Sequence, residues 1–317
     1  MKQVQISAWG TLPKYVDTPA PPTPNANSDL VQIKVLASGL HSLVRGRATG
    51  KHYSANILPH IPGADGVGLT VPDNKLVYFI AITPQGGSFS ELINIPRTSV
   101  FPIPDAPSAN PVTIAGMLNP VMASWMALSS RVSNLPPNFT CVILGATSLS
   151  GIAAVSVARA FGAGKVIGVA RSASKMASLG LDTVIELQDD VSKTDFSAAI
   201  TPENPDVVLD FLYGPPTLAL FTAIKKFSSP VQYVQIGTVI SPSIEFPGDV
   251  LRSKPITMTG AGPGAWSMQR DFVRECPKML EAIVFGKIQP GKFQEVRLED
   301  IEVAWGQKGG DRIVVVV

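Results

Sequence analysis

From Val112 to about residue 285, short apolar runs alternate with helical stretches, and no other feature constrains the fold of this chain as strongly. TCVILG, KVIGVA, DTVIEL, PDVVLDF and PVQYVQIG read as five strands, with helical patterns over 150–161, 173–180, 193–200 and 215–227 between them. Parallel neighbours cannot be joined by a tight turn; they need a long crossover, which a helix supplies. The alternation therefore predicts a parallel sheet covered by helices. PITMTGAG (255–262) is a candidate sixth strand, and a helix is expected around 267–285.

Residues 1–112 have a different texture. LVQIKVLAS (30–38) alternates like a half-buried strand, while KLVYFIAI (75–82) and SFSELINIP (88–96) read as further strands. PAPPTPN (19–25) continues neither strand nor helix and reads as a loop. IPGADGVGL (61–69) holds three glycines, where the backbone turns tightly or approaches something closely. The tail segments FQEVRL, LEDIEVAW and DRIVVVV return to strand and short helix. The expected organisation is a β-rich domain over 1–112, completed by 286–317, with a nucleotide-binding α/β domain over 113–285 inserted in it.

Composition adds limits. The 317 residues, 45% of them hydrophobic, suffice for two domains of ordinary size. A net charge of +2 without any basic run argues against nucleic acid as a partner. Cys141 and Cys276 have no CxxC partner, so they build neither a Cys-rich zinc site nor a disulfide framework. Cys141 lies in an apolar run and is expected to be a core thiol. The opening MKQVQISAWG lacks the apolar core of a signal peptide. No apolar run reaches the ~18 residues of a membrane span, so no membrane-spanning segment is expected. A reducing, cytoplasmic setting without membrane contact is expected.

The chemistry is concentrated where the first strand of the α/β region meets its helix. In Gly145-Ala146-Thr147-Ser148-Leu149-Ser150-Gly151 the free N–H groups of a helix N-terminus, with the helix dipole behind them, suit a pyrophosphate. Gly145 permits a tight turn and Gly151 lets the helix pack close to the strand. Ser148 stands where a glycine is usual, so the three-glycine fingerprint is incomplete. A glycine turn of this kind also has a purely structural reading; the βαβ context is what favours a nucleotide.

An acid about 20 residues into such a unit would bind the ribose 2′-hydroxyl of NAD. The second strand here ends instead in Arg171, followed by Ser172 and Lys175. Two cations and a hydroxyl suit a 2′-phosphate, which arginine can grip with two parallel hydrogen bonds. NADPH is therefore the expected cofactor. The alternative is that Arg171 and Lys175 are solvated surface charges.

With ASGLHSLVRGRATGKHY (37–53), PGADGVG (62–68), GSFSELINIP (87–96), NPVMASWMAL (119–128), ILGATSLSG, VVLDFLYGPP (207–216) and VQIGT (234–238) in this order, nearly the whole chain resembles the medium-chain dehydrogenase/reductase superfamily. It looks most like the zinc-independent branch of quinone oxidoreductases and enoyl reductases. The resemblance implies an α/β fold in which a Rossmann doubly wound parallel sheet is inserted in a GroES-like β-rich domain. Zinc-dependent relatives place their ligands at positions that align with His41, Ala64 and Asn119. Ala64 has no donor atom and Asn119 would be a poor ligand, whereas a catalytic zinc needs three protein ligands. The resemblance thus implies no metal. His41 is then a polar wall of the substrate cleft or a hydrogen-bonded loop histidine.

Relatives also bring a tyrosine near the nicotinamide with a Gly-x-Tyr segment. Gly50-Lys51-His52-Tyr53 is one residue longer, so Tyr53 is the expected match and His52 the match in another register. The family's Asn-x-x-Asp reads His41-Ser42-Leu43-Val44, without its acid. Further cofactor contacts implied by the resemblance are Asn119, Tyr213-Gly214, Ile236-Gly237-Thr238 and Gly260-Ala261-Gly262, most of them at strand C-termini. Trp125 is expected in the core. The implied activity is hydride transfer from NADPH to a quinone or an α,β-unsaturated carbonyl compound, a small-molecule substrate that specialised-metabolite biosynthesis could provide. A homodimer is implied as well, with PITMTGAG as the candidate edge. The alternatives are a non-catalytic NADPH-binding sensor or moonlighting binding protein, and a family member repurposed for a non-reductive step.

Overall fold

In the computed structural model, which describes residues 1–25, 27–52, 54–83, 86–307 and 310–317, the apolar runs of the α/β region form six strands. They are β1 (Thr140–Leu144), β2 (Lys165–Ala170), β3 (Thr183–Glu186), β4 (Val207–Asp210), β5 (Val231–Gln235) and β6 (Ile256–Gly260). All pair in parallel in the order 3-2-1-4-5-6, that of a doubly wound dinucleotide-binding sheet. The central strands are apolar throughout because both faces are covered. Val142, Leu144, Ile167, Val169, Val208 and Tyr233 are buried against helix residues such as Leu220 and Phe221. Cys141 is buried too, and burial pushes its thiol up to about 12.

Helix α1 (Leu149–Ala160) follows β1, and α2 (Pro215–Ala223) follows β4. The helix expected over 193–200 is absent; two 3₁₀ turns, Val191–Lys193 and Ser197–Ala199, stand there. Asp190 and Asp195 accept the N–H groups of Ser192 and Ser197, local bonds that compete with a helix. Likewise, only Ala173–Met176 is helical in the stretch expected over 173–180.

The chain divides into two units, Met1–Asn119 with Leu280–Gly286 and Pro290–Val317, and Pro120–Met279 with Lys287–Gln289. In the first unit, strand Leu30–Gly39 pairs with Asp65–Val71, Leu92–Pro96 and the C-terminal strand Arg312–Val316. Phe293–Arg297 adds beyond the last, and Leu76–Ile80 and Val100–Pro102 extend the other side. Val314 lies opposite Gly39, so the two ends of the chain share one sheet and the α/β unit is an insertion.

The division at Asn119 falls inside helix Pro111–Ser130 rather than at the change of texture near Val112. By length and composition this helix is apolar enough to cross a membrane, contrary to the expectation that no apolar run reaches that length. Two thirds of its apolar window is buried within the protein, as in a core helix.

Candidate functional site

The turn after β1 is shaped by two glycines. Gly145 has φ +93, a left-handed conformation that other residues resist. A Cβ on Gly151 would lie 2.2 Å from the Gly145 carbonyl oxygen, so only glycine lets α1 start this close to the strand end. Ser148, in the place of the missing glycine, caps the helix. Its hydroxyl accepts the Gly151 N–H at 3.0 Å and donates to the Gly145 carbonyl at 2.9 Å. The N–H groups of Gly145 and Ala146 go to the Val169 carbonyl. Those of Thr147, Leu149 and Ser150 have no acceptor among the described residues. Three unpaired donors at the head of a twelve-residue helix make an anion cradle.

The other helix N-terminus at the topological switch point between β1 and β4 is closed to anions. Helix α2 opens with Pro215 and Pro216, which have no N–H, and the N–H groups of Thr217 and Leu218 both go to the Gly214 carbonyl. Of the two turns at the switch point, the one after β1 is, among the described residues, the one whose backbone donors are free for a phosphate.

Beyond β2, Arg171 is exposed and so is Lys175. Neither side chain has an ion-pair partner among the described residues. Ser172 caps the short helix by accepting the Lys175 N–H. Glu186, from the end of β3, accepts the Ala173 N–H at 3.2 Å.

At the end of β4, Asp210 is fully buried and shapes the next turn. Its Oδ1 accepts the N–H groups of Leu212 (2.7 Å) and Tyr213 (3.0 Å), and its Oδ2 accepts the hydroxyls of Thr217 (2.5 Å) and Tyr233 (2.7 Å). Tyr213 is thereby held at φ +51, an unusual conformation for a tyrosine, directly before Gly214. Burial and the Asp210 carboxylate raise the Tyr233 phenol well above its ordinary pKa. The N–H groups of Ile236 and Gly237 go to the Asp210 carbonyl, and Thr238 is exposed. At the end of β6 the Gly260 carbonyl accepts from Arg131 Nε at 2.8 Å, and the Ala261 N–H goes to Gln235. Gly262 is partly exposed. Trp125 is buried, with its indole N–H donated to Glu275 at 3.0 Å.

The first unit holds a buried polar group of its own. His41 precedes helix Ser42–Ala48, and its Nε2 lies 3.3 Å from Asp65 Oδ1. The Tyr78 hydroxyl donates to Asp65 Oδ2 at 2.7 Å, and the hydroxyls of Ser38 and Ser88 donate to the Asp65 carbonyl. Arg312 donates to Asn119 Oδ1 at 3.3 Å. Burial pushes its guanidinium down to about 10, with the Asp65 carboxylate opposing. Arg47 is fully buried and donates to the carbonyls of Gly63, Ser54 and Thr83, tying the segment after His52 to the PGADG turn. Ala64 is buried beside Asp65 and offers no donor side chain. Tyr53 lies outside the described residues. Among the described residues no group of three or more His, Cys, Asp or Glu side chains is placed to hold a metal.

Asn119, a cofactor contact by resemblance, accepts from Arg312 through its side-chain oxygen. The sequence reading passed over Asp65, Tyr78, Arg312, Arg47, Asp210 and Glu186. Asp65 and Asp210 both stand inside the motifs PGADGVG and VVLDFLYGPP, where an acid within an apolar run is the signal that could have found them.

Sheet order, switch point and anion turn define a dinucleotide-binding fold of the Rossmann type, set within a β-rich unit. No protein-family model matches the chain. A curated protein of Emericella nidulans, named "Probable NADPH-dependent quinone reductase tdiC", is 31% identical over 367 aligned positions that cover the whole of both chains. A solved mycobacterial quinone oxidoreductase matches the whole chain and 100% of its own, with a TM-score of 0.81 at 16% identity. A mycobacterial structure solved in complex with NADPH matches both whole chains with a TM-score of 0.78 at 16% identity. The chain belongs to the medium-chain dehydrogenase/reductase superfamily, in its quinone-oxidoreductase-like branch.

Proposed function

We propose that this chain is an NADPH-dependent oxidoreductase that reduces quinones or α,β-unsaturated carbonyl compounds without a metal. The observation that carries the reading is the three-donor turn after β1 together with the exposed Arg171 and Lys175 after β2, which have no ion-pair partner among the described residues. The full-length likeness to a quinone reductase supports it. The N–H groups of Thr147, Leu149 and Ser150 would hold the pyrophosphate, and Arg171, Ser172 and Lys175 the 2′-phosphate. The turns at Tyr213-Gly214, Ile236-Gly237-Thr238 and Gly260-Ala261 would line the rest of the cofactor, at the C-terminal ends of their strands.

When bound, NADPH supplies the hydride. The chain's own task is to orient the acceptor and move a proton to its oxygen. His41, beside the Asp65 carboxylate that Tyr78 also bonds, is one proton donor; Tyr53, or His52 in the other register, is the second. Hydrogen-bond donors polarise a carbonyl more weakly than a metal does, which favours conjugated acceptors whose developing charge delocalises. The reading needs no metal because Ala64, at a ligand position of zinc-dependent relatives, cannot coordinate. The partly exposed edge strand β6, with Met258 at 38% exposure, supports a homodimer, since an apolar edge left bare invites association.

The test has two arms. NADPH oxidation with a panel of quinones and enones, with and without chelator, should show turnover that chelator leaves intact. Titration of both cofactors should show that Arg171→Ala weakens NADPH about ten- to a hundredfold, the worth of a charge-assisted bond to phosphate, and leaves NADH nearly untouched. Equal weakening of both cofactors would remove Arg171 from the 2′-phosphate. Light scattering at micromolar concentration decides the dimer, and a clean monomer rejects it.

A further inference from the structure

The acid missing from the end of β2 is supplied by the neighbouring strand. β3 runs parallel to β2 in a register that sets Glu186 beside Ala170, the residue before Arg171. From there Glu186 Oε1 takes the Ala173 N–H at 3.2 Å. Ala173 directly follows Ser172, so this carboxylate lies inside the turn that the proposed function gives to the 2′-phosphate. Glu186 is exposed, and no lysine, arginine or histidine side chain forms an ion pair with it among the described residues. Its negative charge stands uncancelled next to the cations of Arg171 and Lys175.

We propose that Glu186 is a specificity-determining residue that holds the preference for NADPH over NADH below what Arg171 and Lys175 alone would give. The inference rests on the NADPH reading of this turn. A 2′-phosphate near dianionic at neutral pH is repelled by a neighbouring carboxylate. It also finds one backbone donor of the turn already taken. A free ribose 2′-hydroxyl meets the opposite situation, because it can donate to that carboxylate, as it does to the strand-end acid of NAD-binding folds. One side chain thus penalises one cofactor and serves the other. The turn combines the cations of an NADPH site with the acid of an NADH site, each delivered from a different strand.

The experiment is titration of NADPH and NADH into the purified full-length protein, by fluorescence or calorimetry, for the wild type, Glu186→Gln, Glu186→Ala and Arg171→Ala. Glu186→Gln keeps an oxygen for the Ala173 N–H and removes only the charge. It should tighten NADPH about three- to tenfold at low salt, less at high salt, and leave NADH unchanged or weaker. Glu186→Ala removes the acceptor as well, and NADPH tightening in both variants assigns the effect to charge. Unchanged or weaker NADPH binding in Glu186→Gln overturns the inference, as does equal tightening of both cofactors. A wild type that binds NADH and not NADPH defeats the NADPH reading and this inference with it. A wild type that binds NADPH with an unresponsive Glu186 defeats this inference alone.

Discussion

Each unit of the molecule buries an aspartate, and the company each keeps is different. Asp210, in the nucleotide unit, takes its bonds from Leu212, Tyr213 and Thr217, all within seven residues, and from Tyr233. Asp65, in the β-rich unit, accepts from Tyr78, lies 3.3 Å from His41 and acts on Arg312 by charge, and its carbonyl serves Ser38 and Ser88. The first carboxylate shapes a turn that its own sequence neighbours form. The second gathers side chains from separate elements of the sheet. A buried charge with local partners is part of a motif; one with distant partners is part of a fold.

The largest effect that tests this contrast is expected at Asp65. Asp65→Ala leaves the Tyr78 hydroxyl, the His41 ring and the Arg312 guanidinium without their carboxylate. Breaking a buried charged group in this way costs about 3–5 kcal/mol. Asp210→Asn keeps an oxygen for the Leu212 and Tyr213 N–H groups and should cost less, about 1–3 kcal/mol. Denaturant unfolding of both variants against the wild type measures the difference. If Asp210→Asn proves the more damaging, the turn after β4 carries more of the stability than the network around Asp65.

The same contrast explains what could be read from the sequence. The sheet, its six strands, the glycine turn after β1 and the exposed cations after β2 are encoded in stretches of contiguous residues, where period, glycine placement and charge suffice. The insertion of one domain in the other was legible because DRIVVVV and FQEVRL return to strand texture after the last helix. The group around Asp65 was not legible, because residues 38, 41, 65, 78 and 88 meet only after the sheet has formed. Glu186 was hidden for a related reason: its role depends on the parallel register of β3 on β2, which no spacing within one strand reveals. The helix expected over 193–200 failed on local chemistry, since Asp190 and Asp195 bind the backbone themselves.

Gly151 tests the local side of the comparison with an intermediate effect. In Gly151→Ala the new methyl would fall 2.2 Å from the Gly145 carbonyl and 2.8 Å from Ala146 Cα, both backbone atoms that no rotamer change can move aside. The turn must open, at a cost of about 1–3 kcal/mol. NADPH affinity should fall with it, because the Thr147, Leu149 and Ser150 donors lose their common aim. A variant with wild-type melting temperature and wild-type cofactor affinity would show that the turn is softer than its packing implies.

The smallest effect is expected at Asp182, an aspartate of the nucleotide unit that is not buried. Its carboxylate accepts the Val166 N–H at 2.6 Å and pairs with Arg159 at 2.5 Å, with 41% of its side chain exposed. Burial pulls this carboxyl upward, but the Val166 N–H and the Arg159 guanidinium outweigh it and hold it below the usual carboxylate range. The unfolded chain therefore binds a proton at a higher pH than the folded one. The stabilisation is complete above the ordinary aspartate value of 3.8 and is lost as pH falls through the lower folded value. Because the pair is solvated, Asp182→Asn should cost under about 1 kcal/mol at neutral pH, and less still in high salt. The gap between variant and wild type should close as the pH drops below the carboxylate range, in thermal melts recorded from neutral to acid. A gap that persists at the acid end, where the wild-type carboxyl carries its proton, would move the contribution of Asp182 from its charge to its fit beside Val166.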